Sequence, residues 1–332
     1  MASTQDLYDA IEKRQCGLFV GAGIHYPPPK NSAYSYPEDQ RPPLGAAFSR
    51  QLADECIATL EDESKADVPD FAGLTEDETA RCRLERTIRE EQREKKRRFL
   101  REHRDSLQRT SWYYELHHAR SVLVNKITAA VETGKEPSPV VRALAEMDFP
   151  IIITTNYDRL FEKALRGFRK EPVTRIYDPK GQQRTRDFAG MPKPSEPWLF
   201  KMHGCISDLT SLVVTDEDYI RFVMRMADSE DFHPVPLKIR VQFKEWPTLF
   251  VGYSLLDYNL RLLFRTLRRR VDPAERPATF SLDPFPDLLV LATYGARADE
   301  GAAGPLVSFI EQDSWRFVPE LYKRLFGRPM PQ

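Results

Sequence analysis

Four short apolar runs in this chain each end on small or polar residues, and these junctions hold most of the groups able to do chemistry. Residues 16–20 (CGLFV) enter Gly21-Ala22-Gly23, and residues 150–154 (PIIIT) enter Thr155-Asn156-Tyr157-Asp158. Residues 198–202 (WLFKM) enter His203-Gly204, and residues 246–251 enter Gly252-Tyr253-Ser254, with Asp257 close behind. A glycine turn after a strand lets a dinucleotide pyrophosphate approach backbone N–H groups, although a plain tight turn needs the same glycines. The redox form of that fingerprint wants a third glycine where this chain has Tyr26, inside a proline loop, which disfavours a simple dehydrogenase. Asn156 offers a neutral carboxamide that can orient a water or a sugar hydroxyl, and Asp158 can accept from hydroxyls or an amide; both types also cap helices. His203 is the one histidine at a strand-to-glycine junction, and an imidazole suits proton transfer near neutral pH. His25, His103, His117, His118 and His233 read as structural. Gly252 and Ser254 can meet phosphate or ribose oxygens, or Ser254 and Asp257 can cap the next helix. Four such junctions favour a shared ligand site over four separate caps.

Groups at strand ends come together only if the strands share a sheet and a direction. Short apolar strands alternating with helices give a mostly parallel sheet covered on both faces, so the expected fold is a doubly wound, Rossmann-like α/β core. Residues 287–293 (DLLVLAT) read as a further strand, residues 257–270 as the helix after the fourth junction, and residues 315–326 as an amphipathic helix. The interval between the first two strands is too long for one crossover. The core is therefore assigned to residues 1–25 and 148–332, and residues 26–147 to an insertion. That insertion opens with a loop holding six prolines (26–43) and continues as helices at 44–60, 112–131 and 137–147, with a polar turn at 61–70. Residues 76–104 mix eight acids with eleven bases, the pattern of a solvated helical arm; contact with a partner subunit or nucleic acid is the other reading.

Forty-nine basic against fifty acidic residues leave a formal charge of −1, so no global field draws the chain to nucleic acid or anionic lipid. The N-terminal residues carry charges where a signal peptide needs an apolar run, and no apolar stretch is long enough to span a bilayer, so a cytoplasmic protein without membrane contact is expected. Four scattered cysteines with no Cys-x-x-Cys pair read as free thiols, and no metal site is expected. Cys205 follows His203 by two residues, but the intervening Gly204 and the local geometry argue against a thiol nucleophile.

Taken in order, Phe19-Val20-Gly21-Ala22-Gly23-Ile24, Ile153-Thr154-Thr155-Asn156-Tyr157-Asp158, Lys201-Met202-His203-Gly204, Val213-Val214-Thr215-Asp216-Glu217-Asp218-Tyr219 and Leu249-Phe250-Val251-Gly252-Tyr253-Ser254 resemble the sirtuin-like domain. The likeness runs over about residues 10–295 and is to the divergent bacterial branch associated with NAD depletion in anti-phage defence. It implies NAD as substrate, with the Ala22 and Gly23 turn under the pyrophosphate and Gly21 among the cofactor-binding residues, Asn156 and His203 flanking the nicotinamide ribose, Asp158 near the nicotinamide amide, and Gly252 and Ser254 on the adenosine side. Thr155 and Asp257 complete the implied nucleotide-contacting set. Three departures stand out: His25 where a serine often follows the glycine turn, Thr155 where glutamine commonly precedes the asparagine, and no paired cysteines of a zinc module. The last argues against protein deacetylation.

The expected reaction is hydrolysis of the N-glycosidic bond to nicotinamide and ADP-ribose. Nicotinamide is a cationic leaving group, so departure needs positioning and a base more than acid help. Asn156 would orient the attacking water or the ribose hydroxyls, and His203 would accept a proton. A deacylase and a non-catalytic NAD-sensing subunit are the alternatives. Control is expected from homo-oligomerisation or from a partner protein such as a nucleic-acid-associated ATPase or nuclease.

Overall fold

The computed structural model describes residues 3–67, 71–179, 187–226, 233–255, 276–295 and 307–331. Among these, the apolar runs become β1 (Gly17–Val20), β2 (Ile151–Thr154), β4 (Trp198–Lys201) and β5 (Thr248–Val251). Less apolar segments supply β3 (Val173–Ile176), β6 (Thr279–Leu282) and β7 (Ser308–Ile310). They form one sheet in the order β3-β4-β2-β1-β5-β6-β7, with every pairing parallel. The chain builds outward from β1 on one side and then returns past it to build on the other, so its direction reverses between β1 and β5. Open α/β sheets bind ligands at the carboxyl ends of strands beside such a reversal.

Alternation along each strand divides the core in two. Leu18, Val20, Ile152, Leu199, Leu249 and Val251 face α1 (Thr4–Glu12), α6 (Pro139–Glu146), α7 (Leu160–Gly167) and α10 (Ser314–Phe326), through residues such as Leu7, Leu144, Phe161 and Leu321. Phe19, Ile151, Ile153, Phe200 and Phe250 belong to the second cluster, with Phe222 of α8 (Asp216–Met226) and with Ile239 and Phe243 of α9 (Leu237–Glu245). Phe19 and Phe250 stack at 4.8 Å between centroids. Each such side chain, fully buried, stabilises the fold by about 1.5–3 kcal/mol, which is why strands of only four residues hold.

Two compact units emerge. The larger comprises Met1–Leu44, Val124–Val213 and Glu217–Gln332; the smaller comprises Gly45–Leu123 with Val214–Asp216. The smaller unit contains α2 (Gly45–Ala66), α3 (Glu76–Glu102) and α4 (Leu107–His117), and α5 (Arg120–Glu132) follows. Thr75 and Glu78 form a capping box at the start of α3. Its bases are largely engaged with carboxylates: Arg89 and Arg93 with Asp67, Arg97 with Glu90 and Glu94, and Arg101 with Glu94. The charged arm is thus laced by ion pairs within itself and to Asp67, just past the end of α2.

Three local expectations are corrected. Residues 287–293 are not a strand: the Asp287 carboxylate accepts the Leu289 and Val290 N–H groups and starts a helical turn that continues through Gly295. Residues 61–66 continue α2 because nothing there stops a helix. The helix read at 112–131 is two, broken where His118 turns extended. The helix read at 257–270, and Asp257 with it, lie outside the described residues. No described helix is long and apolar enough to cross a membrane.

Candidate functional site

Register places the chemistry. Val20 is level with Thr154 and Val251, and Thr154 with Lys201. Two residues beyond these partners, on four consecutive strands of the sheet, stand His203, Asn156, Ala22 and Tyr253. Neighbouring parallel strands lie about 4.8 Å apart, so the four positions follow adjacent strand ends at the carboxyl edge. Ala22 and Ser254 are exposed, Gly23, Thr155, Asn156 and Gly252 half-buried, and His25, Asp158 and His203 buried. The edge is an accessible ledge over a buried polar layer.

The two glycine turns clamp each other across the reversal point. The Gly21 N–H donates to the Val251 carbonyl at 3.0 Å and the Gly23 N–H to the Gly252 carbonyl at 2.7 Å. A side chain on Gly23 would stand 2.8 Å from the Gly252 oxygen, and one on Gly252, whose φ is +67°, would stand 2.1 Å from the Ile24 nitrogen. These glycines therefore have a packing reason, and the Gly21 and Gly23 amides are already used. Gly252→Ala is expected to cost well over the about 1–2 kcal/mol of a left-handed alanine, because backbone must also give way. Gly190→Ala, at φ +64° with open space around it, isolates the conformational part. Urea unfolding of the two variants measures the difference; equal costs would show that the clamp gives way freely.

Beneath the ledge the 3₁₀ turn Ala22–His25 carries His25 under β2. His25 Nε2 lies 3.3 Å from Asp158 Oδ2 and 3.4 Å from Asn156 Nδ2. His25 Nδ1 lies 3.4 Å from the Tyr36 hydroxyl, which donates to the Glu136 carbonyl at 2.9 Å. Asp158 Oδ1 accepts the N–H of Leu160, the first residue of α7, at 2.9 Å. The Asn156 carboxamide oxygen is buried with no protein partner. His25, Asn156 and Asp158 line a cavity of about 10 Å³ together with Val20, Ile24, Val141, Thr154, Phe161 and Lys201. That volume holds one water and is far too small for a dinucleotide.

Lys201, the last residue of β4, is 1% exposed and pairs with the equally buried Glu162 at 3.4 Å. Its ammonium also donates to the Asp158 backbone carbonyl. Burial pulls the Lys201 ammonium down, but Glu162, Cys205 and Asp158 outweigh it and the group sits above the ordinary lysine value. Burial likewise pushes the Asp158 carboxyl up, but His25, Lys201 and the Leu160 N–H overcome this and hold it at about 2. Asp158 is therefore a carboxylate at neutral pH with both oxygens engaged, and a ligand amide would meet only its remaining lone pairs.

The structure thus joins Asn156 and Asp158 around His25. His203 follows the adjacent strand, but its ring packs edge-on against Tyr219 at 5.1 Å and Phe222 at 5.5 Å, with Nδ1 3.5 Å from the Tyr219 hydroxyl. It is not a wall of the small cavity. Gly204, at φ +88°, lies against the Ser211 carbonyl just beyond the end of β4, where a side chain would not fit. His25, Lys201 and Glu162 were missed as site residues from sequence. A lysine inside an apolar run that both sheet faces bury is a signal in itself, as is a glutamate on the apolar side of α7.

Residues 150–300 match the family model described as SIR2-like domain. The chain is similar to the NAD(+) hydrolase ThsA of Enterococcus faecium, 27% identical over 136 residues, which is 41% of this chain and 26% of that protein. The corresponding protein of Cytobacillus dafuensis is 30% identical over 127 residues, 38% of this chain and 23% of its own. That of Acinetobacter baumannii is 26% identical over 172 residues, 52% and 33%. The chain spans about a quarter to a third of the length of these curated relatives. The matched stretch, residues 150–300, includes strands β2 to β6 of the all-parallel sheet, and it resembles a SIR2-like domain.

Proposed function

We propose that this chain hydrolyses NAD to nicotinamide and ADP-ribose, and that it depletes NAD in bacterial anti-phage defence. The observation that carries the reading is the group of residues at adjacent strand ends. Asn156 and His203 follow paired strands at equal distance from the last register pair, beside two glycine turns at the reversal point, and matched relatives bear the name NAD(+) hydrolase. The dinucleotide lies along the ledge, over Ala22, Gly23, Gly252 and Ser254. Thr155, Asp158 and Asp257 complete its contacts.

Bond cleavage develops positive charge on the anomeric carbon as neutral nicotinamide leaves. Asn156 Oδ1, which lacks a protein partner, accepts a hydrogen bond from the attacking water or a ribose hydroxyl. His203 accepts the proton, with Tyr219 orienting its ring. The residues described here need no metal for this step. Activity is controlled through homo-oligomerisation or a partner protein, such as a nucleic-acid-associated ATPase or nuclease. The ion pairs along α3 favour a protein contact there over a nucleic-acid one.

The test is direct. Incubated with NAD and no acylated peptide, the purified chain is expected to release nicotinamide and ADP-ribose in equal amounts. Release that requires an acyl-lysine peptide would make it a deacylase. Saturable NAD binding without release, alone and with added phage-infected lysate, would make it a sensing subunit.

A further inference from the structure

The Met202 N–H reaches the Thr154 carbonyl at 2.8 Å, and Asn156 and His203 lie past that bond, beyond the paired stretch of β2 and β4. Their separation is therefore set by what joins the two turns. Tyr157 joins them twice. Its carbonyl accepts the Ile206 N–H at 3.0 Å, and its hydroxyl donates to the Val213 carbonyl at 2.6 Å, at the short end for such a bond. Ile206 and Val213 belong to one loop, which His203 opens. The Val213 N–H donates back to the His203 carbonyl at 3.0 Å and closes that loop at its neck. Inside it, the Ser211 hydroxyl oxygen accepts the Cys205 N–H at 3.0 Å. The Asp208 N–H donates to the Cys205 carbonyl and the Ser211 N–H to the Asp208 carbonyl, both at 2.9 Å. Cys205, Ser211 and Val213 are all buried. A loop tied and packed in this way moves as one body, so a hold on Ile206 and Val213 is a hold on His203.

We propose that Tyr157 is a positioning residue for His203: gripping the 203–213 loop through its carbonyl and its hydroxyl, it fixes where the imidazole stands relative to Asn156, its own neighbour in the chain. The Asn156 side of the link is held as well, because the Asn156 N–H donates to Thr154 Oγ1 at 3.0 Å at the end of β2. Val213 also opens the Val213–Tyr219 motif, and both ends of that motif serve His203. Val213 holds its backbone, and the Tyr219 hydroxyl stands 3.5 Å from its Nδ1. The Tyr157 hydroxyl alone carries the bond to Val213, so phenylalanine removes that bond and leaves the ring and the backbone bond to Ile206.

The kinetic arm rests on the hydrolase reading; the spectroscopic arm does not. Tyr157→Phe is expected to lower kcat for nicotinamide release by about tenfold, with KM for NAD within about threefold, since misplacing a reacting group by about 1 Å costs up to about 10²-fold. That loss should vanish when His203 is already gone, because residues that act as a unit are not additive. His203→Ala and the double variant Tyr157→Phe with His203→Ala should therefore agree within about twofold, and added imidazole should rescue both alike. A fully active Tyr157→Phe, or a tenfold loss that persists in the His203→Ala background, would overturn the proposal. In ¹H–¹³C spectra the His203 ring signal is assigned by its loss in His203→Phe. It is expected to shift or broaden in Tyr157→Phe while the signals of His117 and His233 stay in place. A His203 signal that does not change, or a change shared by all the histidines, also overturns it. A wild type that releases no nicotinamide defeats the hydrolase reading, and the spectra then decide the role of Tyr157 alone.

Discussion

Asn156→Ala lowers nicotinamide release from NAD by about 10²–10³-fold, the loss associated with removing one pre-aimed polar group from a reaction centre. The side chain is short and half-buried, and its oxygen has no protein partner, so truncation removes an acceptor without opening a core cavity. Thermal unfolding should stay close to wild type. The fall belongs in kcat, because the Asn156 oxygen is argued to act on the attacking water or ribose hydroxyl and not on the phosphates. His203→Ala loses about 10²–10⁴-fold as a proton acceptor, and added imidazole recovers part of that loss. Its ring is packed between Tyr219 and Phe222, so His203→Phe serves as the control that preserves packing. Equal release by wild type and either alanine variant would remove that residue from the reaction.

Lys201→Met destabilises the fold by about 3–5 kcal/mol, because it leaves the buried Glu162 carboxylate without its ion partner. Both side chains are almost fully buried, and one Glu162 oxygen already has no partner. Lys201→Met with Glu162→Gln therefore recovers much of the loss, since replacing a buried pair together avoids the stranded charge. Chemical denaturation of the two single variants and the double variant gives the coupling. An additive result would show that the pair contributes nothing as a pair. The same lysine helps hold Asp158 at about 2, below its usual 3.8. A carboxyl depressed in the folded state adds stability that is present above its unfolded value and lost as pH falls toward 2. Without Lys201 the folded-state value rises, so acid unfolding of the variant begins at higher pH.

The apolar runs ending at Val20, Thr154, Lys201 and Val251 announced four parallel strands, because a strand buried on both faces must be apolar throughout. Strands β3, β6 and β7 were not legible: VTRI and TFSL interleave polar residues, and SFI is three residues long. The more apolar DLLVLAT drew the strand assignment, yet Asp287 caps a helical turn and Leu288 and Leu289 are exposed. Local hydrophobicity lost there to a side-chain cap.

At the site, the sequence by itself determined which residue types end the strands, and hence the Asn156, His203 and glycine positions at one edge. It also determined that no paired cysteines exist for a zinc module. Tertiary structure alone decided how those groups are used. Register between strands 47 residues apart in the chain, which sets Thr154 level with Lys201, put Asn156 and His203 at equal distances past paired strand ends. The reversal between β1 and β5 pressed two glycine turns together and consumed amides that the sequence had left for a ligand. The 3₁₀ turn brought His25, read from sequence as structural, onto Asn156 and Asp158. The physical reason is common to all three: a backbone amide or an imidazole nitrogen has no assigned role until the fold supplies its partner, and those partners lie far away along the chain.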